Sequence, residues 1–303
     1  MRGYFSKKDK KVIIKIMAGL GNQMFQYATG RGLSDKKDCS LWLDTFTFKH
    51  DRSFNRTFLL DKYNIKYDQI FDSDTFSIKK YAKPIFNLIK KKSISTVKEP
   101  LNDEYKKEVF RKNVLTGKQV YKIQTDFDFN KTVELDGFWQ SEEYFSNIKE
   151  DICKELTLKV NAVSKQKMKI LDNIKQTNSS VCIGVRRYSD TTRHFKQDED
   201  YYSEAIEFIS KKITKPVFYV FSIEADWVRD NINFRNHEVK YVDPTEDPCE
   251  DLELIRACSH FIISNSSYYW WGAYLAENKG KIVIAPKQGW VVENPVPENW
   301  FTL

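Results

Sequence analysis

The chain has 303 residues, 41% of them apolar and 15% aromatic, enough to bury the cores of two domains of about 150 residues each. Charged residues make up 30%, and no apolar run approaches the ~18 residues a membrane span needs, which excludes an integral membrane helix. The net charge of +7 is spread over diffuse lysine and favours either anionic partners or mere solubility.

The opening "MRGYFSKKDKK" lacks the apolar middle of a signal peptide, so a cytoplasmic chain is expected. "KVIIKIM" (11–17) predicts a strand, a helix starts near Asn22, and "CSLWLD" (39–44) predicts a second strand. The region 46–130 is less regular. Within it, "KKYAKPIFNLIKKKS" (79–93) interleaves six lysines with Tyr81, Ile85, Phe86, Leu88 and Ile89. That pattern suits a peripheral contact with an anionic membrane or, more plainly, a solvated surface helix interrupted by Pro84. "VELDGFWQ" (133–140) reads as a strand, and "SEEYFSNIKEDICKEL" (141–156) as a helix capped by Ser141.

After a soft join near 157–165, strands and helices alternate. The strands are "SVCIGVR" (180–186), "PVFYVFS" (216–222), "EVKYVD" (238–243), "HFIIS" (260–264) and "KIVIAP" (281–286). The helices between them are 201–212, 224–232, 250–259 and 266–277. Strands apolar throughout, alternating with helices, predict a parallel sheet buried on both faces. The expected fold class is α/β, with two doubly wound domains facing a cleft: 1–160, carrying the "GLGNQ" corner, and 161–303, carrying the paired arginines. The five cysteines are odd in number and contain no CxxC pair, so they read as reduced thiols rather than staples or zinc ligands.

Ligands of such folds bind beyond the carboxyl ends of strands. Gly19-Leu20-Gly21 follows the first strand, but Met24 stands where a dinucleotide fingerprint needs its third glycine. What survives is a bare backbone at Gly21 with amide donors from Asn22 and Gln23; a tight turn with an Asn cap is the alternative. Arg186 and Arg187 end the strand 180–186. An arginine fork matches a diphosphate and can neutralise its departure without a metal, whereas a salt bridge behind the sheet would account for one of the two. Asn265, Ser266 and Ser267 open the helix after "HFIIS" and offer hydroxyls and N–H groups to a phosphate or ribose. Ser222 is a fourth cleft-facing candidate. Trp270 and Trp271 read as core rather than stacking partners.

"AGLGNQMFQYATGRGL", "DGFWQSEEYF", "FYVFSIEADWV" and "DLELIRACSHFIISNSSYYWWGAYLA" resemble, in order, the signatures of glycosyltransferase family 11, the α-1,2-fucosyltransferases, and "IAPKQGW" is similar as well. The resemblance implies a GT-B-like fold of two Rossmann-type domains with nucleotide-sugar binding in 161–303, GDP-fucose as donor, a galactoside hydroxyl of an oligosaccharide or lipid-linked glycan as acceptor, inversion at the anomeric carbon, and no metal or other cofactor. It also implies use of the "GNQ" corner and of Gln140 in substrate binding. The family pattern His-x-Arg-Arg-Gly-Asp-Tyr here reads Gly184-Val185-Arg186-Arg187-Tyr188-Ser189-Asp190. The histidine has become Gly184, and the aspartate is displaced to Asp190. The expected mechanism is a one-step displacement, with Arg186 and Arg187 offsetting diphosphate charge and Asp190 taking the acceptor proton. His194, Asp198, Glu142 and Glu143 are alternative bases. The D-x-D triplets Asp72/Asp74, Asp126/Asp128 and Asp198/Asp200 read as chance rather than metal ligands. Competing readings are another activated sugar or acceptor, and an inactive nucleotide-sugar binder. No nucleic-acid motif is found. The expected placement is the cytoplasm, at the inner face of a bacterial membrane if the lysine segment binds lipid.

Overall fold

The computed structural model describes residues 10–49, 55–71, 94–98, 132–159, 163–187, 197–292 and 295–303. The chain divides into two compact units, Met1–Leu158 and Lys159–Leu303.

In the first unit, strands β1 (Lys11–Lys15), β2 (Ser40–Asp44), β3 (Gln69–Phe71), β4 (Ile94–Lys98) and β5 (Thr132–Asp136) form a sheet of order β3-β2-β1-β5-β4. All pairs are parallel, with Val12 opposite both Leu41 and Val133. The central strand has Val12 and Ile14 fully buried, as its unbroken apolar run requires. Helix α1 (Leu20–Lys37) crosses this sheet and ends where Asp38 turns left-handed, at φ 48°. It lies close because it carries glycine at its contacts. A Cβ at Gly30 would fall 2.9 Å from Ile14 Cγ2, and one at Gly32 2.7 Å from the Tyr144 carbonyl oxygen. Backbone cannot yield as a side-chain tip can. Gly32→Ala should therefore lower stability by about 1–3 kcal/mol, read as a lower urea midpoint.

The single helix expected over 141–156 is instead two 3-10 turns, Glu142–Tyr144 and Ser146–Ile148, followed by helix α2 (Lys149–Glu155). Ser141 does cap, accepting from Glu143 N–H at 3.3 Å, but it caps the 3-10 turn. Phe145 breaks the helix. It leaves helical geometry at φ −135°, is fully buried, and lies against Gly32 and Phe25. Tertiary packing overrides local propensity there.

In the second unit, β6 (Ser180–Gly184), β7 (Val217–Phe221), β8 (Glu238–Val242), β9 (His260–Ile263), β10 (Val283–Ala285) and β11 (Phe301–Thr302) form a wholly parallel sheet of order β11-β10-β9-β6-β7-β8. Helices α3 (Lys165–Gln176), α4 (Glu199–Ser210), α5 (Ala225–Asn231), α6 (Pro248–Arg256) and α7 (Ser267–Leu275) accompany it. Val181, Ile183 and Val185 of β6 pack on one face with Tyr202, Ala205 and Ile206 of α4. On the other helical layer, Gly272 lets α7 close on α6: a Cβ there would lie 2.2 Å from Ile255 Cγ2. Trp270 and Trp271 are fully buried, and Trp270 Nε1 donates to the Pro295 carbonyl at 2.8 Å, so both are core. Helix α3 and strands β3, β4 and β11 have no counterpart among the sequence expectations; all but α3 are edge or near-edge elements. Among the described residues no helix is long and apolar enough to cross a membrane, and the five cysteines are free thiols.

Candidate active site

Each sheet reverses its strand order once beside its first strand, between β1 and β5 in the first unit and between β6 and β9 in the second. At such a point the two following connections diverge to opposite faces and leave a crevice at the carboxyl ends.

In the first unit the crevice is built by the 17–26 corner and the chain after β5. The left-handed residue of the corner is Ala18, at φ 65°, whereas Gly19 is extended. A non-glycine residue in that region is sparsely populated and costs energy, which marks the corner as over-determined by its surroundings. The helix starts at Leu20, two residues before the expected Asn22, with Gly19 as its N-cap. Asn22 N–H and Gln23 N–H both donate to the Gly19 carbonyl, at 3.0 and 3.1 Å. Asn22 therefore lies inside the first turn and is not its cap.

Gln23 corrects the sequence reading. It is fully buried, and its Nε2 donates to the carbonyls of Ala18 and Thr57, both at 2.9 Å. Its Oε1 accepts from Leu59 N–H at 2.9 Å. Both amide hydrogens and the amide oxygen are engaged by backbone, because a buried amide left open would lose its hydration without return. Gln23 is a brace for the corner and for residues 57–59, not a ligand donor. Gln26, overlooked in the sequence, does the same work one turn later. It accepts from Met17 N–H and donates to the Gly137 carbonyl, both at 2.9 Å, so it ties β1's exit to β5's exit.

Gln140 and Asn22 meet: Gln140 Nε2 donates to Asn22 Oδ1 at 2.7 Å. Trp139, fully buried and left-handed at φ 58°, turns the chain so that Gln140 returns over α1. The bond engages the oxygen of Asn22, which is half-buried next to the buried Gly21. The guanidinium of Arg56 reaches this corner too, 3.8 Å from where a Cβ of Gly19 would stand. Arg56 lies in an irregular stretch without periodic signal, and only the chain path brings it here.

In the second unit the last rungs of the sheet carry the site. Val185 N–H donates to the Phe221 carbonyl at 3.1 Å, and Ser264 N–H donates to the Gly184 carbonyl at 3.0 Å. The extended chain then sends Arg186 and Arg187 to opposite sides. Arg187 goes towards α5, its guanidinium 3.8 Å above the Trp227 ring, while its N–H donates to Glu224 Oε2 at 3.2 Å. Ser222 Oγ accepts from Glu224 N–H at 2.9 Å and thereby shapes this turn. Arg186 follows the end of β6, which neighbours the end of β9, where α7 begins. There burial, with Cys182 adding to it, pushes the Tyr269 phenol well above its usual range, and the nearby Arg186 charge opposes the shift.

The N-terminus of α7 faces the same place. Ser266 is its N-cap but makes no side-chain capping bond, and Ser267 is its first residue. Asn265 is 7% exposed; its amide nitrogen donates to the Gly289 carbonyl and, among the described residues, its Oδ1 has no partner. Ser264 Oγ, fully buried, is likewise unpartnered. The neighbouring ends of β6 and β9 thus carry an arginine and a helix N-terminus with serine hydroxyls, groups of the kind that bind an anion. Gly289, at φ 85°, supplies a backbone turn that a side chain would strain.

The remaining candidates separate. Asp198 Oδ1 caps α4 by accepting from Tyr201 N–H at 3.1 Å, which gives that carboxylate a structural task and corrects its reading as a base. Glu142 pairs with Lys149 at 3.2 Å on the surface of the first unit. Asp190, His194, the 79–93 segment and the triplets Asp72/Asp74 and Asp126/Asp128 lie outside the described residues. Among the described residues no three metal-ligating side chains gather.

Residues 11–291 match the model of the family described as glycosyl transferase family 11. The chain is 30% identical to an α-1,2-colitosyltransferase of Escherichia coli, over 96% of this chain and 98% of that protein. It is 27% identical to the O-antigen biosynthesis glycosyltransferase WbnK of Escherichia coli, over 95% and 99%. Among solved structures it resembles POFUT1 in complex with GDP, with a TM-score of 0.51 and 12% identity, covering 91% of this chain and 98% of that one. An Arabidopsis thaliana FUT1 mutant in complex with GDP aligns with a TM-score of 0.50 and 10% identity, over 91% and 70%. The structural likeness establishes the two-unit GT-B fold.

Proposed function

Because the chain belongs to glycosyltransferase family 11, we propose that it moves L-fucose from GDP-fucose to a hydroxyl of a glycan acceptor, O-2 of a galactose, with inversion. The observation that supports this reading is the β6–β9 reversal, where the strand end that leads into Arg186 neighbours the strand end that leads into Asn265, Ser266 and Ser267 at the start of α7. A diphosphate matches these groups by charge and by hydrogen-bond polarity. In the transfer, the acceptor oxygen forms a bond to the anomeric carbon while the bond from that carbon to the β-phosphate oxygen breaks, and the electron pair leaves with GDP. Arg186 offsets the charge growing on that oxygen. The acceptor proton passes to Asp190. Asn22, Gly21 and Gln140 of the first unit bind substrate in this reading.

No metal has a part in this scheme, so EDTA is expected to leave turnover unchanged; a loss restored by a divalent cation would overturn that element. A second reading, an activated colitose as donor, is favoured by one departure in this chain. Tyr269, not a side chain at 184, fills the space beside Gly184, and the 30%-identical relative is named a colitosyltransferase. Parallel transfer assays with GDP-fucose and GDP-colitose, on a β-galactoside acceptor, decide between them. Turnover of GDP-fucose alone supports the first, preference for GDP-colitose the second, and transfer of neither, with GDP bound, would leave a nucleotide-sugar binder.

A further inference from the structure

We propose that Tyr269 is a positioning residue for the transfer: its ring and hydroxyl lock the last rung of β6 against β7 so that Arg186 leaves the sheet aimed at the diphosphate. This rests on the role given to Arg186 above. Three contacts carry it. The Tyr269 ring lies flat on the bare backbone of Gly184, where a Cβ would fall 2.5, 2.6 and 2.9 Å from its Cγ, Cδ1 and Cδ2. The Tyr269 hydroxyl donates to the Phe221 carbonyl at 2.8 Å. That carbonyl also receives Val185 N–H, at 3.1 Å, in the final rung of the β6–β7 ladder.

One oxygen thus joins β7, β6 and the first turn of α7, and the next residue of the chain is Arg186. The ring is fixed at both ends, by the helix backbone and by the hydroxyl. It cannot swing aside for a side chain at 184, so glycine at 184 and tyrosine at 269 form a matched pair. In the motif that this chain resembles, a histidine stands at 184. Here that volume is supplied from across the layer by the helix that begins at the neighbouring end of β9. A residue needed only to fill space would serve as well as phenylalanine. The hydroxyl on the ladder carbonyl, next to the arginine, is what assigns Tyr269 a task.

The test is a double-mutant cycle on the full chain, with the GDP dissociation constant as readout from calorimetry. Tyr269→Phe keeps the ring and is expected to weaken GDP by about fivefold, with an unchanged far-ultraviolet spectrum. Arg186→Lys is expected to weaken it by about tenfold. The double variant should be no weaker than Arg186→Lys alone, because the hydroxyl acts only through the arginine. Losses that multiply, or Tyr269→Phe binding GDP as the natural chain does while Arg186→Lys is impaired, overturn the role of Tyr269 and leave that of Arg186 standing. Arg186→Lys at natural affinity overturns both. Gly184→Ala should reproduce the Tyr269→Phe defect by forcing the last rung of β6 away from the ring. If that variant fails to fold, the cycle still decides the matter.

Discussion

Arg186→Ala is expected to slow transfer by about 100- to 1000-fold, a barrier increase of about 2.7–4 kcal/mol of the kind seen when an oxyanion donor is removed. The size follows from its place. Arg186 is half-buried after the end of β6, which neighbours the end of β9, where α7 begins, and its charge works in a setting of lower dielectric than water. Arg187→Ala offers the contrast. Its guanidinium rests on Trp227, so its removal should cost about 0.5–2 kcal/mol of stability through the lost cation–π contact, with a much smaller effect on turnover. Single-turnover rates and melting curves on the two variants separate these outcomes. If Arg187→Ala abolishes transfer while Arg186→Ala leaves it intact, the assignment is reversed. If neither changes turnover, the diphosphate is held elsewhere.

The second large effect concerns a residue whose sequence neighbours suggest ligand binding. Gln23→Ala should destabilise the protein by about 3 kcal/mol or more. It removes three hydrogen bonds between a fully buried amide and the backbone of Ala18, Thr57 and Leu59, each worth about 0.5–1.5 kcal/mol, and with them the packing of the side chain. A fall in the first melting transition of about 6 °C or more is the expected reading. GDP affinity of the protein that remains folded should be unchanged, because none of the amide's atoms is available to a ligand. Asn22→Ala should do the reverse, sparing stability and impairing transfer. A Gln23→Ala protein that melts normally but has lost donor or acceptor affinity would restore Gln23 to the binding site.

The legible part of the site is the part written on strand ends. Arg186, Asn265 and Ser266 follow runs that are apolar throughout, and a parallel sheet brings the carboxyl ends of neighbouring strands together. The order β9-β6-β7, which makes those ends adjacent, is not written in any local pattern. It follows from where the connections cross. Arg56 and Gln26 were hidden for related reasons. One lies in a stretch without periodicity, and the other looks like any polar residue of a helix until the exit of β5 is placed beside it.

Alternating apolar runs and helices were sufficient by themselves to determine the α/β class and its two doubly wound halves, because burial on both faces leaves a parallel strand no other composition, while the quoted motifs carried the family resemblance. Only the tertiary structure decided the task of each polar group. Gln23 and Asn22 are adjacent amides of like chemistry. One is consumed by backbone groups at Ala18, Thr57 and Leu59, and the other is left half-open beside Gln140. The difference arises from which unpaired groups the folded chain carries past each of them. In the same way, the glycine at 184 acquires its meaning only when Tyr269, 85 positions later, lays its ring across it.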